Sequence, residues 1–395
     1  MEKTEYLDNI PERPGRIRHI HIEGFRRLSF LEINPNPLMA LIGANGVGKT
    51  SLLDALELLS ASAVGGLGKK LSDFGGITQL LTRGKSETLA VGLEIDVPGD
   101  SPMSYLLRLA PRGIGYTIAE ERLSQQYEGY ERPFLHIEAK PGNVHYYDPV
   151  EGKLKHPEFD YNPEETALSQ LSRMFPQSES FRQIVAEMKR YHALDVGDLA
   201  PVKLPQKIKP ARYPGLDGED LIPFLFSLRE GNPPRFDVIM DTMRAAFPDL
   251  ESLSFPPSAV SMLTMAWHDR NFPQPIYPHE LSEGTLRFLW LIALLEGSRG
   301  SSITMIDEPE TSLHPELLNL LSQVLREAAR ESQIIVATHS DRFVRFLNPE
   351  EIYVMDIGDD GLATVTPAAS LDIKTWLEDY SLDELWQMGC LGGRA

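Results

Sequence analysis

The stretch "LIGANGVGKTSLLDAL", residues 41–56, fits the pattern G-x-x-x-x-G-K-[ST] of a phosphate-binding loop. Glycines let the backbone of such a loop turn tightly, so that its N–H groups point inward at phosphate oxygens. The helix that follows adds the positive end of its dipole. The pattern therefore predicts binding of a nucleoside triphosphate, but it does not indicate what the triphosphate drives.

Lys49 and Thr50 have predicted roles of their own in this phosphate loop. Lys49 would reach the β- and γ-phosphates, and the hydroxyl of Thr50 would ligate Mg²⁺. The flanks fit this interpretation, because a short apolar run precedes the loop as a buried strand would, and leucines at helical spacing follow it. The residues expected to contact the nucleotide are Gly43, Asn45, Gly46, Gly48, Lys49, Thr50 and Ser51.

Two acids near residue 307 complete the predicted chemistry. An enzyme that hydrolyses a nucleoside triphosphate needs an anchor for the metal and a group that orients the attacking water. Asp307 and Glu308 follow a short apolar run, so we expect Asp307 to hold Mg²⁺ through water and Glu308 to polarise the nucleophile. His339 ends the next apolar run, "QIIVATHS", where it would reach the γ-phosphate. The alternatives are an ordinary acidic turn, which the phosphate loop disfavours, and a structural histidine, which the position at the end of a strand disfavours.

The composition excludes several classes of protein. The formal net charge of −19 argues against a general nucleic-acid coat, because phosphate contacts require Lys and Arg. A basic strip at 201–212 contains no acid, and we interpret it as a solvated, proline-rich connector in preference to a nucleic-acid contact. The single cysteine, Cys390, rules out an intrachain disulfide framework and a cysteine-based zinc site. No apolar run is long enough to span a membrane and the first residues lack the apolar region of a signal peptide, so we expect a cytoplasmic protein without membrane contact.

Patterns of apolar residues along the chain indicate an α/β fold. Residues 16–25 alternate as an opening strand does, and a strand pair is predicted at 88–97 and 104–110. From residue 281 onward, strands alternate with helices and end in acids or histidine, as in doubly wound sheets with ligands at the strand ends. We predict three parts: an N-terminal lobe with the phosphate loop (1–130), an inserted, mainly helical lid or partner-docking region (131–255) and a C-terminal lobe (256–395).

The set of motifs resembles the ABC-class ATPase heads, in the branch that contains the SMC, RecF and OLD-type proteins. The resemblance rests on "GFRRL", the phosphate loop, "LSEG", "DEPETSLHP" and "ATHS", which occur in that family's order and span most of the chain. The closest similarity is to short OLD-type bacterial ATPases, whose chains often end in a motif like "LDELWQMGCLGG". The resemblance implies an ABC-type P-loop head with a central, mainly parallel sheet, an antiparallel N-terminal sheet and an inserted helical region. It also implies ATP as the nucleotide and Mg²⁺ as the metal cofactor.

Further site residues follow from this resemblance. Ser282 and Gly284 match the signature motif, which binds the γ-phosphate on the opposite subunit. Either Arg26 or Arg27 matches a basic position near the phosphates. Gln79 is the candidate for the glutamine that contacts the metal, although its segment also reads as a glycine-rich surface loop.

A homodimer, or a higher even oligomer, is expected on physical grounds as well. "LSEG" opens an apolar helix, so Ser282 lies at a second positive helix terminus, which has no phosphate to bind in its own subunit. Head-to-head pairing would place each ATP between the phosphate loop of one subunit and the signature of the other, across a twofold interface. ATP would then hold the dimer closed, and hydrolysis would loosen it.

Three functions fit these residues. The resemblance implies a clamp that gates a nucleic-acid-acting effector in bacterial genome maintenance or phage defence. OLD-type enzymes carry a Toprim nuclease domain after the head, but only 55 residues follow Ser340, so we expect any nuclease to be a separate protein. A nucleotide-switched scaffold or sensor would use the same residues. A transporter subunit is disfavoured by "LSEG" in place of a Gly-Gly-Gln signature, by "LHP" in the D-loop (312–315) and by the inserted region.

Overall fold

The computed structural model describes residues 15–127, 129–148, 150–157, 161–170, 176–297, 302–372, 376 and 379–391, so that the end of the C-terminal motif lies outside these ranges. Its strands, in chain order, are β1 (Arg16–Phe25), β2 (Leu28–Ile33), β3 (Leu38–Ile42), β4 (Leu89–Asp96), β5 (Met103–Arg112), β6 (Gly115–Gln125), β7 (Phe134–Lys140), β8 (Asn143–Asp148), β9 (Lys153–Lys155), β10 (Lys189–Tyr191), β11 (Gln206–Lys207), β12 (Leu250–Ser254), β13 (Pro257–Ala259), β14 (Met262–Leu263), β15 (Ala266–Asp269), β16 (Ile303–Asp307), β17 (Gln333–Ala337), β18 (Ile352–Ile357) and β19 (Ala363–Pro367). Its helices are α1 (Lys49–Ser62), α2 (Leu67–Asp73), α3 (Ile77–Leu80), α4 (Ala167–Gln170), α5 (Pro176–Ala186), α6 (Leu221–Gly231), α7 (Pro233–Ala246), α8 (Glu283–Ile292), α9 (Pro315–Glu331), α10 (Asp341–Val344) and α11 (Leu382–Gln387). Across the described ranges, none of these helices has the length and apolarity needed to cross a membrane.

The central sheet confirms the predicted, mainly parallel arrangement. Its order is β10-β16-β17-β3-β18-β19, and all neighbours are parallel except the pair of β18 and β19. Every residue of β3 and β17 is buried, which is why β3 is an unbroken apolar run in the sequence and β17 is apolar after Gln333. Alternate residues of β3 face opposite cores, with Ala40 on one side of the sheet and Leu41 on the other. Because the strands are parallel, the carboxyl ends of β3, β16 and β17 meet at one edge, where the phosphate loop begins.

The second large sheet is antiparallel, as predicted for the N-terminal part of the fold. Its order is β2-β1-β4-β5-β6-β7-β8-β9, and β1, β4 and β5 correspond to the three strands predicted from the sequence. The sheet continues through residues 134–155, so the boundary predicted at residue 130 falls inside it and the predicted helical insert begins later. These last strands had no clear sequence signal, because β8 and β9 have no fully buried residues and therefore no apolar alternation.

The rest of the predicted insert is helical only in part. It contains α4 to α7, but β10 pairs in parallel with β16 and so joins the central sheet. Phe224 of α6 and Ile239 of α7 belong to the same buried core as Ile306 of β16. The helices therefore complete the core of the head. A lid or partner-docking role for residues 131–255 remains a proposal.

A buried carboxylate fastens this region to the antiparallel sheet. Glu121 of β6 is fully buried, and it accepts hydrogen bonds from the backbone N–H groups of Ala167 at 2.7 Å and Leu168 at 2.9 Å. The hydroxyl of Tyr105 donates a third hydrogen bond, at 3.0 Å. Burial raises the pKa of Glu121 to about 7, and the three hydrogen bonds oppose this rise without cancelling it.

The raised pKa of Glu121 makes the stability of the fold depend on pH. A carboxyl whose pKa rises on folding stabilises the native state fully below its unfolded pKa of 4.5, and this stabilisation is lost as the pH rises through about 7. The rise corresponds to about 3 kcal/mol of unfolding free energy. We expect Glu121→Gln, which cannot titrate, to remove this part of the difference in unfolding free energy between pH 5 and pH 8.

Urea unfolding at the two pH values measures this effect. The matched control is Glu120→Gln, which alters the half-buried neighbour on the same strand. An unchanged pH dependence in Glu121→Gln would contradict the prediction.

Candidate functional site

The phosphate loop lies between β3 and α1, as predicted. Gly43 has a φ of 146°, and a Cβ atom there would lie 2.3 Å from the carbonyl oxygen of Met355, so only glycine fits. Gly48 has a φ of 120° and directly precedes α1, which begins at Lys49. Of the other predicted contact residues, Asn45, Gly46 and Thr50 are exposed, whereas Ser51 is buried.

The ammonium group of Lys49 lies over the loop. Its Nζ donates to two carbonyl oxygens of the loop, at 2.5 and 2.9 Å. Burial lowers the pKa of Lys49, whereas the negative charges of Asp307, Glu308 and Glu310 act in the opposite direction. The acids at the end of β16 therefore lie close enough to the loop lysine to influence its charge, as the convergence of the strand ends requires.

Glu308 and His339 meet at the ends of two neighbouring strands. The Nδ1 atom of His339 lies 2.9 Å from Oε1 of Glu308. Glu308 has a φ of 52°, and its backbone N–H donates to the carbonyl oxygen of Ala337 at 2.8 Å. A non-glycine residue with positive φ is uncommon, and such strain is concentrated at functional sites. The structure thus brings together the two residues for which catalytic roles were predicted.

The oxygen donors at the site suit Mg²⁺. The hydroxyl of Thr50 and the carboxylate of Asp307 are hard ligands of the kind that this ion prefers. Within the described part of the chain, no group of three or more His, Cys, Asp or Glu residues is arranged to hold a metal ion. Thr50 and Asp307 would therefore hold Mg²⁺ together with phosphate oxygens of a bound nucleotide, as is usual for magnesium in nucleotide sites.

The structure distinguishes between the two candidate arginines near the loop. Arg26 donates to Oδ2 of Asp54 on α1 at 2.5 Å, whereas Arg27 donates to the carbonyl oxygen of Gly361 at 2.8 Å. Arg26 is therefore the arginine tied to the helix of the phosphate loop. Gln79 lies exposed in α3, and its contact with the metal remains a proposal.

Arg190 of β10, which the sequence patterns did not indicate, is buried beside this site. It donates to Oδ2 of Asp307 at 2.6 Å and to Oδ1 of Asp54. Burial lowers the pKa of Arg190, but the hydrogen bond to Asp307 and the charge of Asp54 outweigh burial, so the guanidinium stays charged. β10 has only three residues, and the spacing of apolar residues in the surrounding stretch is typical of a helix. A feature of the sequence that could have indicated a residue such as Arg190 is Asp54, because an acid on an apolar helix face requires a buried polar or basic partner.

Glu310 is a second residue at the site that was not predicted. Its Oε1 accepts a hydrogen bond of 2.5 Å from the hydroxyl of Thr338, which is fully buried. Burial raises the pKa of Glu310, and the hydrogen bond from Thr338 opposes this rise. The contact joins the turn after Glu308 to the end of β17, and so it helps to keep Glu308 beside His339.

The signature stretch begins α8, as predicted. Ser282 is exposed and caps this helix by accepting a hydrogen bond of 3.1 Å from the backbone N–H of Thr285. A Cβ atom at Gly284 would lie 2.8 Å from the carbonyl oxygen of Ser312, and Arg287 donates to the hydroxyl of Ser312. The signature therefore packs against the start of the D-loop. Contact between Ser282 and a phosphate on a second subunit remains a proposal.

Comparison with known proteins identifies a family. A family model described as "AAA domain, putative AbiEii toxin, Type IV TA system" matches residues 38–345. A search of curated proteins returned no match.

Solved structures of SMC heads have a similar fold. One, an SMC head bound to the C-terminal winged-helix domain of ScpA, is 16% identical, with 89% of this chain and 97% of that chain covered and a TM-score of 0.53. Another, the Pyrococcus furiosus SMC head with an extended coiled coil bound to the C-terminal domain of ScpA, is 13% identical, with coverage of 92% and 98% and a TM-score of 0.51. These similarities show the fold. The chain has the SMC-head fold that the sequence resemblance implies, and it belongs to the family described as "AAA domain, putative AbiEii toxin, Type IV TA system".

Proposed function

We propose that this protein hydrolyses ATP, that two copies close head to head around the nucleotide, and that closure gates a separate effector protein in the cytoplasm. The observation that carries the proposal is the parallel pairing of β3, β17 and β16, which brings Lys49, Asp307, Glu308 and His339 to one edge of the central sheet. Three strand ends place a cation, a metal-binding carboxylate and a candidate base around one phosphate loop. This is the arrangement that phosphoryl transfer to water requires.

Each of these side chains has a distinct task in the proposed reaction. Lys49 and the backbone N–H groups of the loop bind the phosphates, and bound Mg²⁺ supplies positive charge that offsets the charge on the transferred group. The carboxylate of Glu308 orients the attacking water and accepts its proton. His339 holds the Glu308 side chain through the contact at 2.9 Å.

The proposed dimer is supported by the position of the signature. Ser282 lies at an exposed helix N-terminus, which favours a negative ligand. Its helix packs on the D-loop, which follows Glu308 in the chain. A twofold dimer would therefore bring the signature of one subunit to the nucleotide of the other, together with the turn that carries the catalytic acid.

A separate effector is favoured over direct action on nucleic acid. The family description names a putative toxin and a type IV toxin–antitoxin system, and the two SMC heads described above are bound to domains of ScpA. These names support a protein partner. The role in phage defence that the sequence resemblance implies is proposed together with it. In the basic strip at 201–212, Lys209 lies 2.6 Å from Asp220 and Arg212 lies 4.0 Å from Glu187, so acids from outside the strip offset two of its charges. This favours the connector interpretation over a nucleic-acid contact.

Replacement of Lys49 by alanine tests the nucleotide site. We expect the affinity for ATP to fall by about tenfold or more, because charged hydrogen bonds to the phosphates are lost. Titration with a fluorescent ATP analogue measures the change. The matched control is Lys69→Ala, which removes an exposed lysine of α2. If Lys49→Ala binds and hydrolyses ATP as the wild type does, the phosphate loop is not the nucleotide site and the proposed function is wrong.

A further inference from the structure

Arg190 connects the two halves of the nucleotide site. Its Nη2 donates to Oδ2 of Asp307 at 2.6 Å, and its Nη1 donates to Oδ1 of Asp54. Its Nη1 also lies 3.7 Å from Oε2 of Glu57. Asp54 and Glu57 belong to α1, the helix that begins at the phosphate loop, whereas Asp307 ends β16. One guanidinium therefore links the helix that binds phosphate to the strand that carries the metal carboxylate.

The backbone fixes the position of this guanidinium. β10 pairs in parallel with β16, with Arg190 opposite Met305 and Tyr191 opposite Ile306. The side chain of Arg190 is only 5% exposed. A charge buried to this degree is tolerated only when partners with good geometry surround it, and a planar guanidinium can satisfy two carboxylates at once. The orientation of Arg190 is thus set from both the strand and the helix.

The two α1 carboxylates that contact Arg190 are each paired with a further cation. Asp54 accepts a second arginine, Arg26, at 2.5 Å on its other oxygen. Glu57 is paired in turn with Lys70, at 2.5 Å. Together with Asp307, the network contains three carboxylates and three cations, so its formal charge is balanced. Loss of Arg190 would leave the network with one excess negative charge, at Asp307, because Asp54 would keep Arg26 and Glu57 would keep Lys70.

We propose that Arg190 is a positioning residue for the metal site, a role that rests on the proposed function. It donates to Oδ2 of Asp307, so that the carboxylate would be held in place for the metal and its water. Through Asp54, it also ties this carboxylate to the helix that begins at Lys49. Arg190 is therefore assigned no ligand contact of its own, and it acts on the site through Asp307 and Asp54.

Nucleotide binding with and without Mg²⁺ tests this role independently of turnover. The quantity measured is the affinity for a fluorescent ATP analogue in excess Mg²⁺ divided by the affinity in EDTA. We expect Arg190→Gln to lower this ratio by about tenfold while the affinity in EDTA stays within about twofold of wild type, because the phosphate loop is intact. Arg190→Lys keeps the charge but lacks the planar fork, and we expect it to lower the ratio by about threefold. This second variant decides the question if Arg190→Gln does not fold.

The controls separate a positioning role from a structural one. Arg182→Gln removes another arginine ion pair, that of the half-buried Arg182 with Glu179 on α5, and it is expected to leave the ratio unchanged. If Arg190→Gln lowers only the melting temperature, and the folded protein keeps the wild-type ratio, the inference is overturned. A higher ratio would overturn it as well, since Arg190 would then compete with the metal. If the wild type itself binds no nucleotide, the proposed function fails together with the inference.

Discussion

Glu308→Gln is expected to lower the rate of ATP hydrolysis by at least about 100-fold while ATP binding stays close to wild type. The amide has the same size as the carboxylate, but it cannot accept a proton from the attacking water. Lys49, Thr50 and Asp307 are untouched, so the phosphates and the metal keep their ligands. The variant should therefore trap the ATP-bound state.

Phosphate release and binding of a fluorescent ATP analogue together check this expectation. The matched control is Glu316→Gln, which changes an exposed glutamate in the first turn of α9. Hydrolysis by Glu308→Gln at the wild-type rate would show that another group orients the water. The contact between Glu308 and His339 would then be structural.

The second large effect is expected from Ser282→Arg. A long side chain at the start of α8 would occupy the position proposed for the γ-phosphate bound by the partner subunit. We expect hydrolysis to fall by at least about 100-fold, because each site would lose the charge stabilisation supplied in trans. Nucleotide binding to each monomer should be nearly unchanged, since residues 43–50 are intact.

Loss of the helix cap is a separate consequence of Ser282→Arg, and it needs its own control. Ser282 is exposed, and removal of its cap is expected to cost about 1 kcal/mol of stability. Asn232→Arg removes the cap of α7, whose side chain accepts a hydrogen bond from the backbone N–H of Arg235, without touching the signature. Its hydrolysis rate should stay near wild type. Normal hydrolysis by Ser282→Arg as an isolated monomer would contradict the sandwich.

The parts of the site that lie on buried parallel strands could be predicted from the sequence. β3, β16 and β17 are covered on both faces, so each appears as a short apolar run, and the polar residue after each run lies at the same sheet edge. This reasoning predicts that Asp307 and His339 lie at one sheet edge, and the G-x-x-x-x-G-K-[ST] pattern adds Lys49 to the predicted site. The helix start at Ser282 was visible for a similar reason, because a polar cap precedes a strongly apolar helix.

The remaining features depend on contacts between residues far apart in the chain. Arg190 reaches Asp307 across 117 positions, and no local pattern marks a three-residue strand that inserts beside β16. The polar strands β8 and β9 lie at the edge of the antiparallel sheet. They are held there by pairing with the neighbouring strands and not by burial of apolar side chains. The buried hydrogen bonds of Glu121 could not be predicted for the same reason, since its partners Ala167 and Leu168 follow it by more than 40 residues.

The association of two heads has to overcome their charge. A net charge of −19 on each chain means that two copies repel one another at long range, and more strongly at low salt. Closure must therefore rest on short-range contacts at the nucleotide. On this account, every complete site combines the phosphate loop of one copy with the Ser282 signature of the other.

Mixing two inactive variants tests this shared site most directly. The Ser282→Arg chain keeps an intact phosphate loop, and the Lys49→Ala chain keeps an intact signature. A dimer that contains one of each has one complete site, so an equal mixture that has exchanged subunits should recover about one quarter of wild-type hydrolysis, since half of the dimers are mixed and each has one of two sites. Each variant alone should be nearly inactive. A mixture no more active than the sum of its components would show that the signature does not act across the dimer, and the account would be contradicted.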